Sequence, residues 1–140
     1  MKKRILSLLI LLSAATATMA YNSILAKLVK TDYEGKADSL TKVFIKEFMN
    51  TSKGTFWVTP KGVNSSNTYI YWQQAHAIDV VIYAYQRNLA AGNKTQANLY
   101  KNYVSKWFQN KGNNYSGGST GFENPYTDDM CWIALTLHRM

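Results

Sequence analysis

Apolar residues recur at helical spacing in four segments of this 140-residue sequence. These segments predict helices over about residues 33–50, 73–89 and 95–110, and from Thr127 or Asp128 to the last residues. A spacing of three to four residues places such side chains on one face of a helix. A strand signal in "TFWV" (55–58) is weak. Because long and short connections alternate between the segments, the pattern favours an all-α fold of helical hairpins packed side by side.

Several side chains are expected in the core of this fold. The inward-facing set is Val43, Phe44, Ile78, Ile82, Val104 and Trp107. Cys131 is the single cysteine, so it has no partner for an intramolecular disulfide, and its apolar surroundings predict a small core residue. Asp79 lies within an apolar run, and we expect it to be a buried, hydrogen-bonded helix residue.

The first twenty residues have the layout of a secretory signal peptide. A basic start (2–4) precedes an apolar stretch (5–12), and small residues follow, with cleavage expected after Ala17 or Ala20. The apolar stretch is too short for a stable membrane span. We therefore expect residues 1–20 to be removed and the protein to be exported to the periplasm, the cell surface or the medium.

Charge and aromatic content limit the classes of molecule that the mature chain is expected to bind. Loss of the three basic residues at 2–4 lowers the formal charge from +8 to +5, and the remaining Lys and Arg are scattered rather than clustered. This distribution argues against nucleic-acid binding. Ten Tyr and four Trp in an exported chain point to carbohydrate, since the C–H faces of sugars stack on aromatic rings, although core packing accounts for many such rings as well.

Two adjacent aspartates, Asp128 and Asp129, stand where a Gly-rich loop meets the last apolar segment. One interpretation is a helix start, where Asp is favoured at the cap and in the first turn. The other is a catalytic pair, because retaining glycoside hydrolysis needs two carboxyls about 5–5.5 Å apart. Neighbouring residues inside a helix diverge, but a first aspartate that is not yet helical would let both side chains enter one cleft.

Two segments together resemble a known family. "YWQQAHAIDVVIYAYQR" (71–87) and "YTDDMCWIALTLHR" (126–139) are similar to glycoside hydrolase family 76, the endo-α-1,6-mannanases, whose members carry a "WxQAHAxDV" helix followed by an Asp-Asp pair. The resemblance implies an (α/α)6 toroid and retaining cleavage of α-1,6-linked mannose backbones in mannan. It implies Asp128 as nucleophile and Asp129 as acid/base, with no metal and no organic cofactor.

The resemblance also suggests substrate-binding residues, which are Trp72, Gln74, His76 and Tyr126. Two alternatives stay open for Gln74 and His76, which either hold sugar hydroxyls or order the cleft. Trp72 either stacks on a sugar ring or packs in the core.

The chain departs from the family in length. Twelve helices of about 11 residues with connections of about 5 need roughly 190 residues, whereas 120 remain once the first 20 of 140 are removed. We therefore expect residues 21–140 to be the N-terminal part of a catalytic domain, a truncated fragment with little or no activity. Two other functions remain open, a non-catalytic helical glycan-binding module and a mannan transglycosylase.

Overall fold

The structure is a computed structural model that describes residues 27, 30, 32–63, 71–110, 121–122 and 125–140. The predicted signal peptide and most of the Gly-rich loop before Asp128 lie outside the described residues. Contacts divide the chain into two units, Met1–Lys36 and Ala37–Met140. In the first unit, Lys36 pairs with Asp32 one helical turn away, at 2.7 Å.

The second unit is mainly helical, as the periodicity predicts. Helix α1 occupies residues 37–48 of this unit, and residues 32–36 of the first unit are helical too. The further elements are β1 (Met49–Asn50), β2 (Thr55–Phe56), a 3-10 turn (Pro60–Gly62), α2 (Tyr71–Ala90), α3 (Lys94–Gln109) and α4 (Thr127–Arg139). The limits of α2, α3 and α4 and the end of α1 agree with the predicted ones to within two residues, and the weak strand signal in "TFWV" corresponds to β2.

A two-stranded antiparallel hairpin follows α1, with Met49 opposite Phe56 and Asn50 opposite Thr55. Strand β1 takes the two residues that the periodicity assigns to the end of the first helix. Gly54 closes the turn at φ +78°. Its position requires glycine, because an added Cβ would lie 2.5 Å from the backbone nitrogen of Trp107 in α3.

Helix α2 is the centre of the second unit, and α3 packs against it as an antiparallel hairpin. The turn between them is fixed by Asn93, whose side chain caps α3 by accepting a hydrogen bond from the Gln96 backbone. Asn93 also donates to Asn88 of α2 at 3.1 Å. Ile78 and Ile82 of α2 and Trp107 of α3 are fully buried, which confirms their predicted inward positions.

Helix α1 runs antiparallel to α2 on another side. Near its start, Asp38 accepts hydrogen bonds from Arg87 and Asn88 at the end of α2, at 3.0 and 3.1 Å. Near its end, Phe44 stacks on Phe56 of the hairpin that packs against α2, with ring centroids 5.4 Å apart. The predicted arrangement of helical hairpins side by side therefore holds for α1, α2 and α3.

Helix α4 packs on α2 in the parallel direction. Thr136 donates to Ala75 and Asp79, and Arg139 pairs with Asp79 at 2.7 Å. Residues with higher numbers in α4 therefore contact residues with higher numbers in α2. Gln86, further along α2, donates to the carbonyl of Arg139 at the end of α4. The predicted hydrogen-bonded role of Asp79 is confirmed, and its side chain keeps 14% exposure.

Two predicted core positions are wrong. Val43 is 58% exposed, because α1 buries Thr41 and Ile45, and a residue two positions away lies about 200° around the helix. Cys131 is exposed for the same reason, since it stands two residues before the buried Ile133. Phe44 and Val104 are half-buried against the core.

Within the described residues, every helix is too short or too polar to cross a membrane.

Candidate active site

The two aspartates lie in the first turn of α4. The helix begins at Thr127, and Tyr126 occupies the N-cap position without a side-chain capping bond. Asp128 and Asp129 are therefore the second and third helical residues, where free N–H groups and the helix dipole favour negative charge. The helix-start interpretation is confirmed for the first turn, although neither aspartate is the cap.

The helical position of Asp128 corrects one expectation. Both aspartates are helical, so their Cα–Cβ directions differ by about 100° around the axis of α4. Asp128 is exposed and shares a face with Trp132 one turn later, whereas the half-buried Asp129 shares a face with the buried Ile133. Two carboxyls thus stand at one helix end, with different exposure and different neighbours.

Three aromatic side chains connect α4 to α2 beside this end. The rings of His76 and Trp132 have centroids 4.7 Å apart, and those of Trp72 and His76 lie 5.7 Å apart, edge to face. All three side chains are exposed. Because α2 and α4 are parallel, this aromatic row (Trp72, His76 and Trp132) lies at the end of the helices that carries Asp128.

The sequence left two alternatives for Trp72, sugar stacking or core packing, and two for His76, sugar binding or ordering of the cleft. The exposure of the two side chains bears on both. Trp72 is 41% exposed, so the core-packing interpretation of its ring is not supported. His76 is exposed and held between two tryptophan rings. Its imidazole is therefore both oriented by its neighbours and accessible to a ligand.

Gln74 occupies a different environment from the one expected of a sugar-binding residue. Its side chain is 2% exposed, its Oε1 accepts from the Phe56 backbone N–H at 3.0 Å, and its Nε2 donates to the Phe56 carbonyl at 2.8 Å. Both ends of the amide are engaged with β2. Of the two alternatives left open for Gln74, these bonds favour the one in which it orders the cleft, which Gln74 also lines.

Tyr126, the N-cap residue of α4, stands two residues before Asp128 and is 66% exposed. The site thus consists of the linked rings of Trp72, His76 and Trp132 and of the first turn of α4, in which Asp128 lies one turn before Trp132. Among the described residues, no group of three His, Cys, Asp or Glu side chains is arranged to hold a metal ion.

A cleft of about 410 Å³ shares an aromatic wall with this site. It is lined by Phe44, Phe48, Phe56, Trp57, Val58, Trp72, Gln73, Gln74, His76, Ala77 and Val80. Volumes of about 300–1,000 Å³ and an aromatic lining with few polar groups are typical of ligand sites. The sequence did not identify Trp57 as a candidate site residue, because a single aromatic residue in a polar loop does not by itself indicate a binding site.

Chemically, the arrangement offers two carboxyls of different exposure next to accessible aromatic faces. Carboxyls act as nucleophiles and as general acids or bases, and aromatic faces bind the apolar faces of sugars. Comparisons of the chain with protein-family models, with curated proteins and with solved structures give no match.

Proposed function

We propose that this protein is a retaining glycoside hydrolase that cleaves α-1,6-mannosidic bonds in mannan. The observation that carries the proposal is the ring contact between His76 and Trp132. It joins the two segments on which the resemblance to family 76 rests, and it places the carboxyl pair at the end of an exposed aromatic row. If the similarity of these two segments to the family were accidental, there would be no reason for the segments to contact each other in the fold.

In the proposed reaction, the Asp128 carboxylate attacks the anomeric carbon while Asp129 gives its proton to the departing glycosidic oxygen. A mannosyl ester of Asp128 forms and the reducing-end fragment leaves. Asp129, now a carboxylate, takes a proton from water, whose oxygen attacks the anomeric carbon and frees Asp128. Both the two roles and the meeting of the two carboxyls at one sugar rest on the resemblance, because the side chains leave α4 in directions about 100° apart. The greater exposure of Asp128 is compatible with attack on a polymer.

The packing of α2 and α4 supports the (α/α)6 part of the proposal. In a toroid built of alternating inner and outer helices, neighbouring helices of the inner ring are parallel and the helix between them runs the other way. The contacts of α2 with α4 are those of parallel neighbours, and α3 is antiparallel to α2, which is the arrangement that a toroid would require. We assign α2 and α4 to the inner ring, whose N-terminal ends border the site.

The proposal includes export. Residues 1–20 act as the signal peptide, and residues 21–140 belong to the catalytic domain in the periplasm, at the cell surface or in the medium. The partner there is α-mannan polysaccharide or its oligosaccharides.

The test is cleavage of linear α-1,6-mannan, with β-1,4-mannan as the linkage control. Long incubation with fluorescently labelled α-1,6-mannohexaose makes slow turnover measurable. Proton NMR identifies the anomer in which each new reducing end is first released. We expect slow formation of shorter α-1,6 products, in line with the little activity expected of this chain, and their new reducing ends should first appear as the α-anomer. A β-anomer as first product would contradict the retaining mechanism, and products longer than the substrate would indicate a transglycosylase.

A non-catalytic glycan-binding module is the second candidate, and the exposed aromatic row favours it. Trp72, His76 and Trp132 would bind a glycan without help from the aspartates. Binding of mannohexaose with no cleavage, unchanged in Asp128→Asn, would establish this function instead. Absence of both binding and cleavage would overturn both proposals.

A further inference from the structure

We propose that Trp57 forms the platform of a second sugar-binding subsite, in the cleft between the β1–β2 hairpin and α2. This inference rests on the proposed function for its ligand, a mannose unit of the same α-1,6-mannan chain. It adds a residue and a position that neither the aspartates nor the aromatic row supplies.

The orientation of the Trp57 ring is set by the backbone beside it. Gly62 adopts φ +68°, and a Cβ added there would lie 3.2 Å from both Cδ1 and Nε1 of Trp57. The glycine backbone therefore lies directly against one side of the indole, where a larger residue would have to displace it. One ring face is covered, and Trp57 also lines the cleft.

The segment that carries Trp57 is anchored at several points. The Trp57 N–H donates to the Phe48 carbonyl at 2.7 Å, which ties it to the end of α1. Thr59 Oγ1 donates to the Val63 carbonyl at 2.7 Å and closes the 3-10 turn around Gly62. A ring held in place before the ligand arrives loses little conformational entropy on binding.

The cleft is continuous with the proposed catalytic site. Trp72 and His76 border it, and the same two side chains form the aromatic row that reaches Trp132. Phe44 and Phe48 stack at 5.6 Å and contribute apolar lining. A glycan bound along the row would therefore extend from the aspartates towards Trp57.

A few polar side chains give the mostly apolar and aromatic cleft the hydrogen-bonding groups that a sugar needs. Gln73 and His76 both line it and supply hydrogen-bonding groups, while the amide of Gln74 is already engaged with Phe56. Two tryptophans with a few hydrogen-bonding side chains match a hexose, which has an apolar C–H face and hydroxyls at its edge.

The experiment measures binding of α-1,6-mannohexaose by calorimetry to the wild type, Trp57→Ala and Trp57→Phe. Phe108→Ala, an exposed aromatic in a different groove, is the control. Loss of one aromatic platform corresponds to an affinity about three- to tenfold lower for Trp57→Ala. We expect a smaller loss for Trp57→Phe and none for Phe108→Ala. Equal affinity of the wild type and folded Trp57→Ala would overturn the inference and leave the proposed function intact.

A second measurement titrates the wild type and does not need Trp57→Ala, in case that variant does not fold. Titration with mannohexaose should shift the indole N–H resonance of Trp57, assigned by its disappearance in Trp57→Phe. Binding without a shift of that resonance would overturn the subsite. A shift caused by cello- or xylo-oligosaccharides, but not by mannohexaose, would support the subsite and contradict the mannan proposal. No response to any of the three would contradict both.

Discussion

Arg139 Nη1 lies 2.7 Å from Asp79 Oδ2, and this ion pair joins the last turn of α4 to the middle of α2. Thr136 donates to the other carboxylate oxygen at 3.0 Å, so that one aspartate is bonded to two successive turns of α4. Together with the bonds from Thr136 to Ala75 and from Gln86 to Arg139, this contact sets the two helices parallel. It therefore determines which end of α4, and with it which residues, lies beside the aromatic row.

Asp79→Ala should release this connection. Thr136 is fully buried and Arg139 is about one-third exposed, so both would lose an acceptor in a partly dry environment. We expect a loss of about 1–3 kcal/mol in the free energy of unfolding, measured by urea denaturation. Asp32→Ala is the control, because its pair with Lys36 is solvent-exposed and should contribute less than about 1 kcal/mol. Equal losses in the two variants would contradict this account of α4.

Gln74→Ala should detach the hairpin from α2. The Phe56 N–H and carbonyl would lose their partners in a buried position, which costs about 2–4 kcal/mol for the two groups together. Gln73→Ala, one residue earlier and half-buried, should change stability little. Chemical denaturation gives the cost, and amide hydrogen exchange at Phe56 reports the hairpin directly. Unchanged protection of that amide in Gln74→Ala would contradict the assigned role.

Gly54→Ala and Gly92→Ala form a matched pair. Both glycines have positive φ, at +78° and +75°, so alanine is strained by about 1–2 kcal/mol at either position. Only Gly54 faces an obstacle, since its Cβ would meet the Trp107 backbone nitrogen at 2.5 Å, whereas nothing lies within 4 Å at Gly92. We expect Gly54→Ala to lose a further 1–3 kcal/mol by thermal or urea unfolding. Equal destabilisation of the two variants would mean that the turn at Gly54 does not pack closely against α3.

Tyr100 gives the fold a pH dependence at high pH. Burial raises the pKa of its phenol above the ordinary value of 10.0, with the Gln96 side chain acting in the opposite direction. Above pH 10 the unfolded chain releases a proton that the folded chain retains, so stability falls as pH rises. Urea denaturation between pH 9 and pH 11 should show a steeper decline for the wild type than for Tyr100→Phe. Parallel declines would contradict the burial of the phenol.

The sequence predicts the helices better than their faces or their partners. Helical spacing places α2, α3 and α4 to within two residues, because each segment is long and strongly periodic. The same spacing misplaces Val43 and Cys131, since a short helix with apolar residues on several sides does not reveal which side meets a neighbour. The pairing of Asp79 with Arg139 joins positions 60 residues apart, and no local pattern encodes it.

Part of the site was likewise accessible from the sequence. The order of the two motifs identifies Asp128, Asp129, Trp72 and His76 as candidates, and the fold brings their helices side by side. The buried role of Gln74 depends on where the hairpin folds back, and the ring of Trp57 depends on Gly62. Such contacts between loops and helices have no periodic signature.

The central claim is that Asp128 and Asp129 carry out catalysis rather than only stabilising the start of α4. The most direct measurement is the rate of mannohexaose cleavage per folded molecule, determined together with the melting temperature, for the wild type, Asp128→Asn and Asp129→Asn. We expect no turnover in Asp128→Asn, because the nucleophile is lost. Asp129→Asn should be about 10²–10⁴-fold slower, and less impaired on an aryl mannoside whose leaving group needs no proton. Both variants should melt close to the wild type, since only a charge in the first turn is removed. Lower melting temperatures with full activity per folded molecule would contradict the claim and leave the pair a helix-start feature alone.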